Sequence, residues 1–134
     1  MADHDASSIR AERTASLELA LSYLHQQVTL QFDRPAGSLH PVHGYRYPIN
    51  YGYVPGTHAP DGDELDGYYL GTDQPLTHAD GTTIAVIHRI DDDDDKLVVT
   101  ADPTTAQFTD TDISAAVEFQ EHPGRYLILR NPPD

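Results

Sequence analysis

Cysteine is absent from the 134 residues. That excludes disulfides, thiolate zinc sites and cysteine nucleophiles, and it agrees with a reducing compartment. Positive charge is scarce as well: eight Lys and Arg stand against 22 Asp and Glu, for a formal net charge of −14. Such a chain repels a phosphate backbone and offers no basic cluster to neutralise one, so no nucleic-acid partner is expected. No apolar run is long enough to cross a bilayer, and the opening MADHDASSIRAERTAS lacks the basic-then-apolar pattern of a secretory signal. A cytoplasmic protein without membrane contact is the expectation. Outside two clusters taken up below, the acidic excess reads as solubility or adaptation to a salty cytoplasm.

The length fits one domain over residues 1–134, with a flexible start and a helix in 1–26 and the remaining elements in 27–134. Leu17, Leu21 and Leu24 share a helical face with Ala20, and Thr14 or Ser16 stands ready to cap its start. From Gln27 to Phe32 the alternation of Val28, Leu30 and Phe32 with polar neighbours predicts a strand. Further strands are expected at 67–70, 82–90, 97–100 and 126–129, with Ala79-Asp80-Gly81 read as a turn. Near the end, Asp110 or Asp112 is expected to cap a helix presenting Ile113, Ala116, Val117 and Gln120, which Pro123-Gly124 stops. Short, closely spaced strands with a helix at each end point to an α+β, mainly β, small barrel.

The chain is organised around Tyr47 to Gly71, whose centre is Asp61-Gly62-Asp63-Glu64-Leu65-Asp66. Aspartates two and three apart with an intervening glycine suit a bent loop that aims carboxylates at a hard cation such as Mg²⁺, Mn²⁺ or Ca²⁺. An EF-hand is excluded, because the further Asp or Asn before the glycine and the Glu six residues after it are missing. A second acidic run, Asp91 to Asp95, ends in Lys96, the only lysine of the chain. Runs of this kind are commonly solvated turns, and between the apolar segments TTIAVIHRI and LVVT an internal turn fits. If the two stretches meet, converging carboxylates would raise one another's pKa, and divalent cations reverse that cost. Paired cations would also bridge phosphate oxygens and lower the pKa of a shared water, with Asp63 as the proton acceptor. His40 and His43 lie three apart, but Pro41 and Gly44 make their segment a loop, which favours exposed loop histidines, or histidines meeting an anion, over a zinc site.

The run Asp61-Gly62-Asp63-Glu64-Leu65-Asp66-Gly67 resembles, at every position, the signature D-[SGDN]-D-[PE]-[LIVMF]-D-[LIVMGAC] of the soluble family I inorganic pyrophosphatases. Tyr47-Pro48-Ile49-Asn50-Tyr51-Gly52-Tyr53 is similar to the family's Y-P-x-N-Y-G segment, and Asp91 with Asp94-Asp95-Lys96 resembles its third acidic stretch. The resemblance spans roughly Val28 to Gln120. It implies an OB-like, five-stranded closed barrel with an N-terminal and a C-terminal helix. It also implies Mg²⁺ as cofactor, with Mn²⁺ an alternative, and a homo-oligomer. By the same resemblance Asp61, Asp66, Asp91 and Asp94 ligate metal, with Asp92 an alternative to Asp91. Asp63 activates the water, while Tyr51 and Lys96 hold oxygens of a small anionic phosphate substrate.

The chain also departs from the pattern. The hairpin that carries a lysine and a glutamate in the family is cut short here, and the arginine before the Y-P-x-N-Y segment is not matched. In place of the Tyr-Lys pair on the C-terminal helix, Phe119-Gln120-Glu121-His122 runs into Pro123-Gly124. These losses describe a short pyrophosphatase-like subgroup. Arg34, His40 and His43 are the candidate replacements for substrate phosphate. Hydrolysis of inorganic pyrophosphate is the expected function. Hydrolysis of another small phosphate ester or anhydride, or a catalytically silent metal-binding interaction domain, are the alternatives. If the histidines hold phosphate, turnover should rise as the pH falls toward their pKa, and a pH–rate profile without that tilt would remove them from the site.

Overall fold

The computed structural model describes residues 14–58, 62–91, 94–104 and 107–132; Asp61, Asp92 and the flexible start expected over the first 13 residues lie outside them. Helix α1 spans Ala15–Leu21 and starts at Thr14, whose side-chain oxygen accepts from the Leu17 N–H at 3.1 Å. Strands β1 (Gln27–Arg34), β2 (Asn50–Tyr53), β3 (Asp66–Leu70), β4 (His78–Arg89) and β5 (Lys96–Thr100) follow, then helix α2 (Asp110–Val117) and strand β6 (Tyr126–Leu129). The strand order β1-β2-β3-β5-β4 closes on itself through β1–β4 pairing, and β6 follows β1 along the same edge of β4, opposite β5. The β3–β5 pair is parallel and the rest are antiparallel, so the expected five-stranded closed barrel with two helices is what forms.

Alternation along the strands sorts the side chains between two cores. Strand β1 buries only Val28, Leu30 and Phe32, so that face is the barrel interior, where they meet Leu97, Val99, Tyr69 and the leucines of α1. Strands β3 and β5 are buried on both faces, because α2 covers their outer side with Ile113 and Val117 against Tyr68, Leu70 and Val98. Asn50 is fully buried, which is tolerable because it is satisfied. Its Oδ1 accepts from the Ala36 and Leu76 N–H groups and its amide donates to the Gln74 carbonyl, pinning two loops to β2.

Three local expectations are corrected. Helix α2 ends at Val117 with Glu118 as its C-cap, so Gln120 lies in the turn that follows and Pro123-Gly124 is not what stops the helix. The cap of α2 is Thr109, whose oxygen accepts from the Asp112 N–H while the Asp112 carboxylate accepts from the Thr109 N–H, so Asp112 is the third helical residue of a capping box. Ala79-Asp80-Gly81 is no turn but the first part of β4, paired to β1. Gly81 is there because a neighbouring chain passes over it: a Cβ would lie 2.6 Å from the Thr100 carbonyl oxygen and 2.7 Å from Val99 Cγ1. Gly81→Ala should therefore lower stability by about 1–3 kcal/mol, read as a lower urea midpoint; an unshifted midpoint would mean β5 yields without cost.

Candidate active site

The site lies where β3 and β5 begin and β2 and β4 end, on the α2-covered face. Pairing of Ile87 with Lys96 sets the phase. Asp95 turns to the interior, where its Oδ1 meets His88 Nδ1 at 2.5 Å and both side chains are buried. Asp94 and Lys96, one residue either side, therefore emerge together on the opposite face beside Ile87 and Arg89. Lys96 is only 2% exposed. Its ammonium donates to the Tyr51 hydroxyl at 2.9 Å and to Asp94 Oδ2 at 3.1 Å, and lies 3.6 Å from Asp66 Oδ2. The Tyr51 hydroxyl in turn donates to Asp66 Oδ2 at 2.8 Å. A buried ammonium needs this many acceptors, so three strands are tied to one charge.

These groups floor a cleft of about 770 Å³, walled on one side by Asp33, Arg34, His40 and His43 and on the other by Arg89 and the residues that follow α2. The aromatic wall is packed ring on ring: Tyr47 stacks on Tyr51 at 5.6 Å, and His40 contacts His43, Tyr45 and Tyr47. Burial, followed by the nearby Tyr45, pushes the Tyr47 hydroxyl up to about 12, and burial with the neighbouring Asp66 holds Tyr51 well above its ordinary value. Both therefore remain hydrogen-bond donors at neutral pH.

The cleft brings together Tyr51, Asp66, Asp94, Lys96, Arg34, His40 and His43 from the sequence-derived set; it does not bring in Asp63 or Asp91. Asp63 is exposed on the β2–β3 loop, where Gly62 takes the left-handed φ of +91° and Thr57 ties the loop base by accepting from the Leu65 N–H. Asp91 is ion-paired with Arg125 at the edge of an adjoining hollow. His40 Nδ1 accepts from the backbone N–H groups of Val42 and His43, both at 3.1 Å, and partial burial with repulsion from His43 and Arg34 lowers its pKa. Protonating that nitrogen would break both contacts, which confines any low-pH charge on His40 to a more acidic range. Arg89, Gln120 and Glu121 were not singled out as site residues from the sequence. A single arginine closing a strand carries no pattern by which to find it.

Among the described residues no three carboxylates or imidazoles converge on one point. Asp66 and Asp94 nonetheless share the Lys96 ammonium, and this all-oxygen pair fits Mg²⁺, which usually takes one or two carboxylates, keeps several waters and binds substrate phosphate. Burial raises the Asp66 carboxyl above its ordinary value, Lys96 and the Tyr51 hydroxyl oppose the shift, and Asp94 adds to it.

Comparison with known proteins agrees with this geometry. The family model described as inorganic pyrophosphatase matches residues 18–123. Solved inorganic pyrophosphatases are similar in fold. That of Helicobacter pylori superposes with a TM-score of 0.56 at 17% identity, over 81% of this chain and 84% of its own. That of Ehrlichia chaffeensis gives 0.57 at 16%, over 69% and 78%. That of Neisseria gonorrhoeae gives 0.55 at 24%, over 76% and 75%. No curated protein sequence matches significantly.

A raised carboxyl stabilises the fold fully below the ordinary value and loses that contribution as pH rises through the raised one. In metal-free buffer the urea midpoint of Asp66→Asn relative to the wild type should therefore shift in the variant's favour between about pH 4 and pH 7. A difference that is flat with pH would mean Lys96 compensates Asp66 in full.

Proposed function

The chain belongs to the inorganic pyrophosphatase family, and from that premise we propose how its cleft performs the family's reaction, hydrolysis of inorganic pyrophosphate to two phosphates. The observation that carries the proposal is the buried Lys96 ammonium, held between the Tyr51 hydroxyl and the carboxylates of Asp66 and Asp94.

Pyrophosphate brings several negative charges into a chain whose own charge is −14. Lys96 and Tyr51 receive its oxygens: the ammonium is already placed on the face that lines the cleft, and the hydroxyl is a donor at neutral pH. Asp66 and Asp94 would hold Mg²⁺, joined by Asp61 and Asp91 on the family resemblance; Mn²⁺ has the same oxygen preference. When bound, Mg²⁺ neutralises charge on the phosphates and lowers the pKa of water. Asp63 takes the proton of the attacking water. Its placement on a loop fixed at the base by Val54–Leu65 and Thr57–Leu65 hydrogen bonds supports a group that closes over bound substrate. For Asp91 the role requires exchange of its Arg125 partner. Arg34, His40 and His43 form the outer wall and meet the substrate's far phosphate, His40 through its remaining ring nitrogen. The lack of cysteine supports a cytoplasmic location, and exposed Leu39, Val42 and Ile90 support self-association into a homo-oligomer.

One observation favours a second, larger substrate. A 770 Å³ cleft with an aromatic wall of His40, His43, Tyr45 and Phe119 exceeds what pyrophosphate fills. Phosphate release from a nucleoside diphosphate as fast as from pyrophosphate would support it.

The deciding experiment is phosphate release from pyrophosphate with Mg²⁺. Asp63→Asn should lower kcat by about 100-fold or more, the usual contribution of a general base. Lys96→Met should raise KM as well as lower kcat. A wild type that binds Mg²⁺ but releases no phosphate would overturn the hydrolytic reading.

A further inference from the structure

We propose that Arg89 is a phosphate-binding residue of this cleft, acting beside Lys96 and replacing from strand β4 the cation that the C-terminal helix lacks. The inference rests on the pyrophosphatase reading above and names a group in the site that neither the motifs nor the resemblance assigns.

The geometry that points to it is a shared oxygen. Arg89 Nη1 and Lys96 Nζ each lie 3.1 Å from the same atom, Asp94 Oδ2. Continuing the Ile87–Lys96 register by two residues sets Arg89 opposite Asp94, so the two cations converge across one carboxylate on the cleft face. One anionic oxygen bridging a guanidinium and an ammonium is also how a phosphate oxygen is bound. Asp94 Oδ2 therefore occupies the position that a substrate oxygen takes once the Asp94 carboxylate turns to a cation.

The guanidinium is also oriented for the task. Its Nε and Nη2 donate to the two carboxylate oxygens of Glu121 at 2.8 and 3.0 Å. Glu121 is 2% exposed and is itself held by the Tyr68 hydroxyl at 2.6 Å, which receives the Gln120 amide at 2.8 Å. Burial alone would lower the Arg89 pKa, but the Glu121 hydrogen bonds and charge, with Asp94, raise it, so the charge is permanent. A plane locked by a bidentate partner on one edge presents its other edge with little entropy left to lose on binding. The other arginines near the cleft lack this support. Arg34 donates to its own neighbour's carbonyl at Asp33, and exposed Arg46 donates to the Gly37 carbonyl. Glu121 also explains the altered end of α2. The run Phe119-Gln120-Glu121 carries a buried carboxylate where the family pattern carries a Tyr-Lys pair, and that carboxylate positions a cation from β4.

Removing Arg89 alone strands a buried Glu121, so the test is the pair Arg89→Met with Glu121→Gln, which drops both charges while keeping volume and a hydrogen-bonding partner for Tyr68. At saturating Mg²⁺, the affinity for methylenediphosphonate, a non-hydrolysable pyrophosphate analogue, is measured by calorimetry, alongside KM and kcat for pyrophosphate. Affinity should fall and KM rise by about 10- to 150-fold, the loss of one charge-assisted contact. Arg89→Lys, which keeps the charge but not the fork, should recover part of the loss. Arg130→Ala, which breaks an ion pair with Asp110 outside the cleft, should change neither quantity. Unchanged analogue affinity in the folded double variant overturns the proposal. A wild type that binds the analogue but does not cleave pyrophosphate overturns the hydrolytic reading instead, and the role of Arg89 is still decided by the binding comparison. A wild type that binds no analogue overturns both.

Discussion

A single ammonium, buried to 2% exposure, sets the terms for the site. An unpaired cation at that depth would be untenable, so the fold must supply acceptors, and it supplies them from three strands: Tyr51 from β2, Asp66 from β3 and Asp94 just ahead of β5. The same demand works in reverse. Two half-exposed carboxylates brought within reach of one another are tolerable because Lys96 stands between them, while burial first and Asp94 second raise the Asp66 carboxyl against that help. A site balanced in this way is held together by contacts that all pass through one ammonium.

The barrel makes such a balance possible by giving β3 and β5 two buried faces. Leu97 and Val99 fill the interior, while Val98 and Lys96 face α2. Alternation then converts a run of consecutive acids into two functions. Asp95 goes inward to His88, and Asp94 goes outward to the cleft. The buried His88–Asp95 contact resists rotation of this segment, so the positions of Asp94 and Lys96 are fixed by a pair that never reaches the cleft.

Much of this was legible in the sequence, because strand alternation, the two acidic stretches and the Tyr47–Tyr53 segment are short-range patterns. Val28, Leu30 and Phe32 declare β1 by themselves, and Asp66, Tyr51 and Lys96 stand in motif positions that the fold does bring together. What was not legible depends on contacts distant in the chain. Gly81 reads as a turn residue until Thr100 is seen lying over it. Thr109 yields its capping role to neighbouring aspartates in any reading that counts acids rather than hydrogen bonds. Asp91 stands in a motif position, but its ion pair is with Arg125, 34 residues away, which no local pattern announces. Arg89 has no local signature at all, since its meaning comes from Glu121 on one side and Asp94 on the other.

Moving a cation from a helix end to a strand changes more than its address. A lysine on the last turn of a helix swings on four rotatable bonds, and its position depends on how that helix docks. An arginine on β4 is held in register by pairing to both β5 and β6, and its plane is fixed by a buried carboxylate. Helix α2 can thus end at Val117, because nothing beyond Glu121 is needed to set the charge in place. The cost falls on rigidity: with Tyr68, Gln120, Glu121 and Arg89 in one hydrogen-bonded chain, the wall cannot open without breaking several buried contacts at once. Adaptation to substrate must then come from the rest of the cleft, where half-buried His40 and exposed His43 line it from a loop.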